Sequence, residues 1–320
     1  MRDRGSVVGW GVAIITIAAL ALYGAEGDAR WPWLAFNLAA AVPLVLCLVP
    51  ECQAWARARV AAQPSLGVHL PFAIAFYGMA ASLLSGSHHW TNLFLWPLCV
   101  GVAVAAMGRV GEAEPAPTRL LLAALALGVL AGIWERGLQI QVPGGTHLSL
   151  AFIVAIDLAL FLFVVARPLH TFDVRLDLTG RDVLLAMGAV VVLAGIAIPL
   201  GFGIGFLSFQ SRWLGWAHGA ARLFGLTLFV GLPEEMLFRG AIQEAFTRLW
   251  GRRAGLVTGS VVFGLLHLFK HITHPNWGYG LLATAAGLAY GWVYQRTGKL
   301  GAAAITHGAV DWIWSMFLGA

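Results

Sequence analysis

Glu234 and Glu235 stand side by side in an apolar stretch, Pro233-Glu234-Glu235-Met236-Leu237-Phe238-Arg239, with a cation four residues beyond the second acid. A charged side chain at bilayer depth costs roughly 2.5–3.5 kcal/mol on insertion scales, so a chain that keeps several there has a use for them. Glu235 and Arg239 have the i, i+4 spacing and acid-first order of a helix ion pair. Glu234 projects about 100° away around the helix, which leaves its carboxylate available to take a proton. Two further polar groups punctuate apolar runs. Phe263-Gly264-Leu265-Leu266-His267 ends in an imidazole, and His307-Gly308-Ala309-Val310-Asp311 places an imidazole and an acid one turn apart. A carboxylate base with imidazoles around it is the equipment of a site that activates water and stabilises an oxyanion. Neither H-E-x-x-H nor G-x-S-x-G occurs in the chain, so the familiar zinc-protease helix and the serine-hydrolase elbow are missing. Pro233 suits a first helical turn and Gly231 a break before it, which predicts that the acids sit at a helix N-terminus inside the membrane.

Helices must position these residues, and the composition places the helices in lipid. Of 320 residues, 59% are hydrophobic and only 11% charged, where a soluble domain carries about 25% charge. The mean hydropathy is +0.80. Apolar runs fall near 7–25, 31–49, 68–86, 90–107, 119–134, 148–166, 183–206, 223–247, 255–270, 278–295 and 300–318, most within the spanning range of about 17–25 residues. The runs at 119–134 and 255–270 are the short ones. The fold class expected is all-α, a polytopic transmembrane helical bundle of about 10–11 membrane-spanning helices. With the N-terminus inside, 14 basic residues fall in inner loops and five in outer loops, with Arg239 inside a span. That is the positive-inside pattern. Of the 20 basic residues 18 are Arg, the bias of a GC-rich genome, so the expected location is a bacterial inner membrane. The first run is read as a retained helix rather than a cleaved signal peptide.

The most polar loop, 167–182, divides the chain into N-terminal helices without a recognised motif (1–180) and a C-terminal part (181–320) that holds nearly all the candidate chemistry. No basic run is longer than Arg252-Arg253, which speaks against a nucleic-acid partner. Cys47, Cys52 and Cys99 form no C-x-x-C pair and are read as small buried side chains. Asp157 lies mid-span, where it would either line a water path or pair with a neighbouring helix.

Glu234-Glu235-x-x-x-Arg239, Phe263-x-x-x-His267 and His307-x-x-x-Asp311 together resemble, in order and separation, the three motifs of the CPBP family. That family comprises the type II CAAX prenyl endopeptidases and bacteriocin-processing-like intramembrane proteases. The resemblance covers roughly residues 183–318, with Asp311 the acid variant of a position the family fills with Asn or Asp. It implies an intramembrane endopeptidase with no required cofactor, acting on a membrane-embedded or membrane-anchored protein or peptide in the lipid bilayer. Under it Glu234 is the general base and positions water with His267, His307 stabilises the oxyanion aided by Asp311, and Glu235 and Arg239 hold the geometry.

The residues alone leave other readings open. His267, His307 and Glu234 could ligate zinc. The same groups could form a proton relay in a transporter, or the chain could be a catalytically silent scaffold. An ionised Asp311 cannot donate to an oxyanion, so it is expected to orient and charge His307 instead. His271 and His274 follow His267 at i+4 and i+7, but Pro275 and Asn276 mark an aqueous boundary, and the pair is read as an interfacial cluster. In a host without protein prenylation, the expected substrate is a leader peptide or a C-terminal sorting or anchor signal.

Overall fold

The structure is a computed structural model that describes residues 49–84, 90–110, 115–132, 139–142, 146–169, 177–268 and 275–319. The span expected at 7–25, all but the last residue of the one expected at 31–49, and His271 and His274 lie outside the described residues. The fold is all-α. Two units are distinguished, residues 1–142 with 147–172, and residues 143–146 with 173–320.

In the first unit, α1 (Pro50–Ala62) precedes α2 (Leu66–Leu84), α3 (Trp90–Met107) and α4 (Pro117–Ala131). A short hairpin of β1 (Gln139–Val142) and β2 (Thr146–Ser149) leads into α5 (Leu150–Leu160), which continues as a π-helical turn over Phe161–Ala166. Successive helices pack on one another, and Arg57 ties α1 to the π turn by donating to the Val164 carbonyl at 2.7 Å. The sequence reading placed α1 in a loop. Pro50 in its first turn, Glu51 at its start and Arg59 at its end are helix-terminus signals that its mixed polarity conceals. Asp157 is buried within α5.

The second unit begins with α6 (Gly180–Gly203), which among the described residues is the one helix long and apolar enough to cross a membrane unaided. A reciprocal cap starts it. The Thr179 hydroxyl accepts from the Asp182 N–H, and the Asp182 carboxylate accepts from the Thr179 N–H. A continuous helical rod follows: α7 (Trp216–Leu226), a π segment (Thr227–Gly231), α8 (Leu232–Glu235), a second π segment (Met236–Gln243) and α9 (Glu244–Trp250). Gly231 is itself helical, with φ −58° and ψ −56°. The expected break, and with it the helix N-terminus at the acids, is therefore corrected. Pro233 lacks an N–H and crowds the carbonyl four residues back, and the wide turn ahead of it accommodates both without ending the helix.

Three more helices complete the unit: α10 (Arg252–His267), α11 (Trp277–Thr297) and α12 (Leu300–Phe317). α10 runs along α11, α11 along α12, and α6 packs on both α11 and α12. β3 (Ser208–Phe209) pairs antiparallel with β4 (Leu318–Gly319), fastening the chain after α6 to the end of α12. Close approach of α12 to the rod depends on two glycines. A Cβ on Gly231 would lie 2.9 Å from the Ala304 carbonyl oxygen, and one on Gly308 would lie 2.6 Å from the Thr227 Cα. Gly280, Gly287 and Gly291 likewise stand at helix contacts. Gly203 faces open space, and Gly205 has a turn conformation with φ +70°.

The unit's two ends differ in character. At one, Lys299 pairs with Asp182 at 2.8 Å, and Arg252 and Gln295 exchange hydrogen bonds with each other's backbone, with Arg181, Arg253 and Arg296 exposed nearby in sequence. At the other, Trp213 packs on Trp216, Trp312 and Phe317, and Phe206 packs on Tyr279 and Trp314.

Candidate active site

All six residues singled out from the sequence meet in the second unit. Glu234 and Glu235 come from α8, Arg239 from the second π segment, His267 from the last turn of α10, and His307 and Asp311 from the middle of α12. Glu235 and Arg239 are fully buried and paired, with Nε to Oε2 at 2.9 Å. Arg239 also donates to the Gly287 carbonyl of α11 at 3.2 Å and lies over the Phe263 and Tyr290 rings, 5.0 and 5.6 Å from their centroids. One guanidinium thus joins the rod to α10 and α11. Four residues on, Gln243 repeats the contact by donating to the Gly291 carbonyl at 3.3 Å.

The second oxygen of Glu235 faces α12, where His307 Nδ1–H donates to Oε1 at 2.8 Å. His267 donates from Nδ1 to the Phe263 carbonyl at 2.7 Å. Each imidazole therefore has its Nδ1 engaged, and both present Nε2 to the same atom, Glu234 Oε2, at 3.7 Å from His267 and 3.8 Å from His307. These separations exceed a direct hydrogen bond and suit a small bridging group such as water.

Asp311 lies 3.4 Å from His307 Nε2 and its side chain is one-third exposed. The geometry keeps Asp311 beside His307, as expected of a group that orients and charges it, and adds a second partner for the ring. Glu235 holds the ring through Nδ1, whereas Asp311 meets the nitrogen that faces the reacting space. Asn at 311 could accept from Nε2–H and also donate to an oxyanion. Asp311→Asn is expected to keep most of the turnover, and Asp311→Ala to lose about tenfold, equivalent to about 1.4 kcal/mol of one charge-assisted hydrogen bond. Steady-state rates of both variants on one substrate check this, and an unchanged Ala variant would leave Asp311 as packing.

Tyr290 is a site residue that sequence reading missed. It is buried on α11 and stacks on the His307 ring, 4.5 Å between centroids and 17° between planes. The signal was present: Gly287 and Gly291, one turn apart, mark the face of α11 that meets its neighbours, and Tyr290 adjoins that face. A cavity of about 230 Å³ adjoins the cluster. His267, His307, Asp311 and Tyr290 line it, and the rest of its wall is mainly apolar, from α6, α11 and α12. Among the described residues no group of three His, Cys, Asp or Glu side chains is arranged to hold a metal ion.

Comparison with known proteins bears on the same segment. Residues 216–313 match the family model described as type II CAAX prenyl endopeptidase Rce1-like. The chain is also 28% identical over 174 residues to a protein of Bacillus subtilis (strain 168) described as uncharacterized protein YpbD, an alignment covering 52% of this chain and 82% of that protein. No solved structure matches. The matched segment begins at the first residue of α7 and contains both acids, Arg239, both imidazoles and Asp311. The segment 216–313 is accordingly similar to the Rce1-like type II CAAX prenyl endopeptidases, a family of membrane-integral proteases.

Proposed function

We propose that this protein is an intramembrane endopeptidase of glutamate type, hydrolysing a peptide bond in a membrane-embedded or membrane-anchored protein or peptide. The observation that carries the reading is the convergence of His267 Nε2 and His307 Nε2 on Glu234 Oε2, each within 4 Å, beside an apolar-walled cavity. A water between Glu234 and His267 donates one hydrogen to the carboxylate and one to the Nε2 lone pair, which aims its oxygen at a substrate carbonyl. Glu234 removes a proton as the water oxygen bonds to the carbonyl carbon. The oxyanion is met by His307, whose ring carries both protons, Nδ1–H on Glu235 and Nε2–H on the developing charge. The proton held by Glu234 then passes to the leaving nitrogen as the C–N bond breaks, giving a carboxylic acid and an amine. Such preorganised donors are worth most where water is scarce. In a host without protein prenylation, the substrate expected is a leader peptide or a C-terminal anchor or sorting signal.

The test is hydrolysis of a membrane-anchored peptide by purified protein in liposomes. Activity is expected, and it is expected to survive exhaustive treatment with EDTA and phenanthroline. Loss of activity restored by zinc alone would replace the glutamate scheme with ligation by His267, His307 and Glu234.

A further inference from the structure

The cavity beside the cluster is graded along its length. Its inner wall is buried: Val190 of α6, Ala286 and Tyr290 of α11 and His307 of α12 are at most 9% exposed. Nearer the aromatic end the lining includes half-buried residues, Ala197 and Ile198 on α6, Tyr279 on α11, and Val310 and Ile313 on α12, set among buried Leu207, Leu282 and Leu318. The opposite direction is shut. Leu300, Ala302 and Ala303, the start of α12 at the basic end, are all 0% exposed, as is Val293 at the end of α11. Asp311, the most exposed charge of the cluster, is separated from Phe317 at the aromatic end by roughly 9 Å of helix, and from Leu300 by roughly 16 Å. The basic end carries Arg181, Arg252, Arg253, Arg296 and Lys299, and the aromatic end carries Arg212 and Arg222. That asymmetry orients the basic end toward the cytoplasm.

Resting on the peptidase reading above, we propose that the site takes its substrate from the exoplasmic side of the membrane, as the segment next to the membrane anchor of an exported protein or peptide. A cytoplasmic tail would approach the closed, basic end.

Thiol accessibility tests the sidedness independently of catalysis. In full-length protein with Cys47, Cys52 and Cys99 replaced by Ser, single cysteines are placed at Ala197 and Val310 in the cavity and at exposed Arg253 at the basic end. A charged, membrane-impermeant maleimide is applied to intact spheroplasts and to inverted vesicles. Ala197→Cys and Val310→Cys are expected to react in spheroplasts, and Arg253→Cys only in inverted vesicles. Reaction of the cavity cysteines from the Arg253 side alone would overturn the proposal. Their failure to react from either side, or reaction of Arg253→Cys in spheroplasts, would overturn it equally. The same labelling in a Glu234→Gln background separates the two readings, since a wrong catalytic assignment leaves the accessibility pattern intact.

Discussion

Glu234→Gln is expected to abolish hydrolysis, with turnover falling at least about 10²–10⁴-fold, the range typical of a lost general base. Gln matches Glu in shape and still accepts hydrogen bonds through its carbonyl oxygen, but it takes no proton from water at neutral pH. Gln keeps the oxygen that faces the two imidazoles, 3.7 and 3.8 Å away, and fills the same space. Expression, membrane insertion and thermal unfolding in detergent should therefore match wild type. Substrate should still bind, which makes a kcat loss at unchanged KM the diagnostic pattern. Wild-type-like turnover of the purified Gln variant in liposomes would remove Glu234 from the chemistry.

Arg239→Ala is expected to damage the fold as well as the reaction. The guanidinium and Glu235 are both 0% exposed and form an ion pair. Removing one partner of a buried pair typically costs about 3–5 kcal/mol, because the other charge is left uncompensated, and whole-domain stabilities are only about 5–15 kcal/mol. Here the loss spreads further. Gly287 loses its donor, and Phe263 and Tyr290 lose the cation between them. Glu235, released from Arg239, no longer fixes the ring of His307. Arg239→Lys keeps the charge but has no planar fork with which to reach both Glu235 and Gly287, so partial recovery of stability with little activity is expected. Differential scanning in detergent, run beside a turnover assay, decides the matter. An Ala variant that melts at the wild-type temperature would show that the pair is not structural.

The contrast between these two variants explains how much of the site the sequence could reveal. The pair declared itself through spacing, since i, i+4 with the acid first is a local rule that tertiary packing did not disturb. His267 and His307 declared themselves through rarity, because an imidazole inside an apolar run is conspicuous. The partner each nitrogen chooses was not legible. Asp311 shares a helix face with His307 and was the natural candidate to hold it, but Glu235 reaches Nδ1 from 72 residues away in the chain. Tyr290 was hidden because an aromatic among Leu, Ala and Gly reads as core. The helices of the second unit followed from their apolar runs, Asn276 capping α11 and Gly298 ending it at φ +68°. The β3–β4 pairing is two residues a side, too short to leave a pattern. The π turns leave none at all, because any apolar helix sequence can carry them.

Those turns give the site a property distinct from the identity of its residues. Each π turn amounts to about one extra residue in an α-helix, and one residue turns everything beyond it by about 100° and shifts it by about 1.5 Å. The rod from Trp216 to Trp250 holds two such segments, one just before the acids and one beginning just after them. They set the angle at which Glu234 and Glu235 face α10 and α12 while the flanking α7 and α9 keep their own partners. The number of residues between the flanks is therefore a functional parameter. A single deletion at a silent position such as Leu228 would rotate both carboxylates out of alignment while every chemical group remained present. In evolutionary terms, this stretch should admit apolar exchanges at its non-chemical positions but almost no insertions or deletions, so gap-free length becomes as much a signature of a working site as the acids themselves.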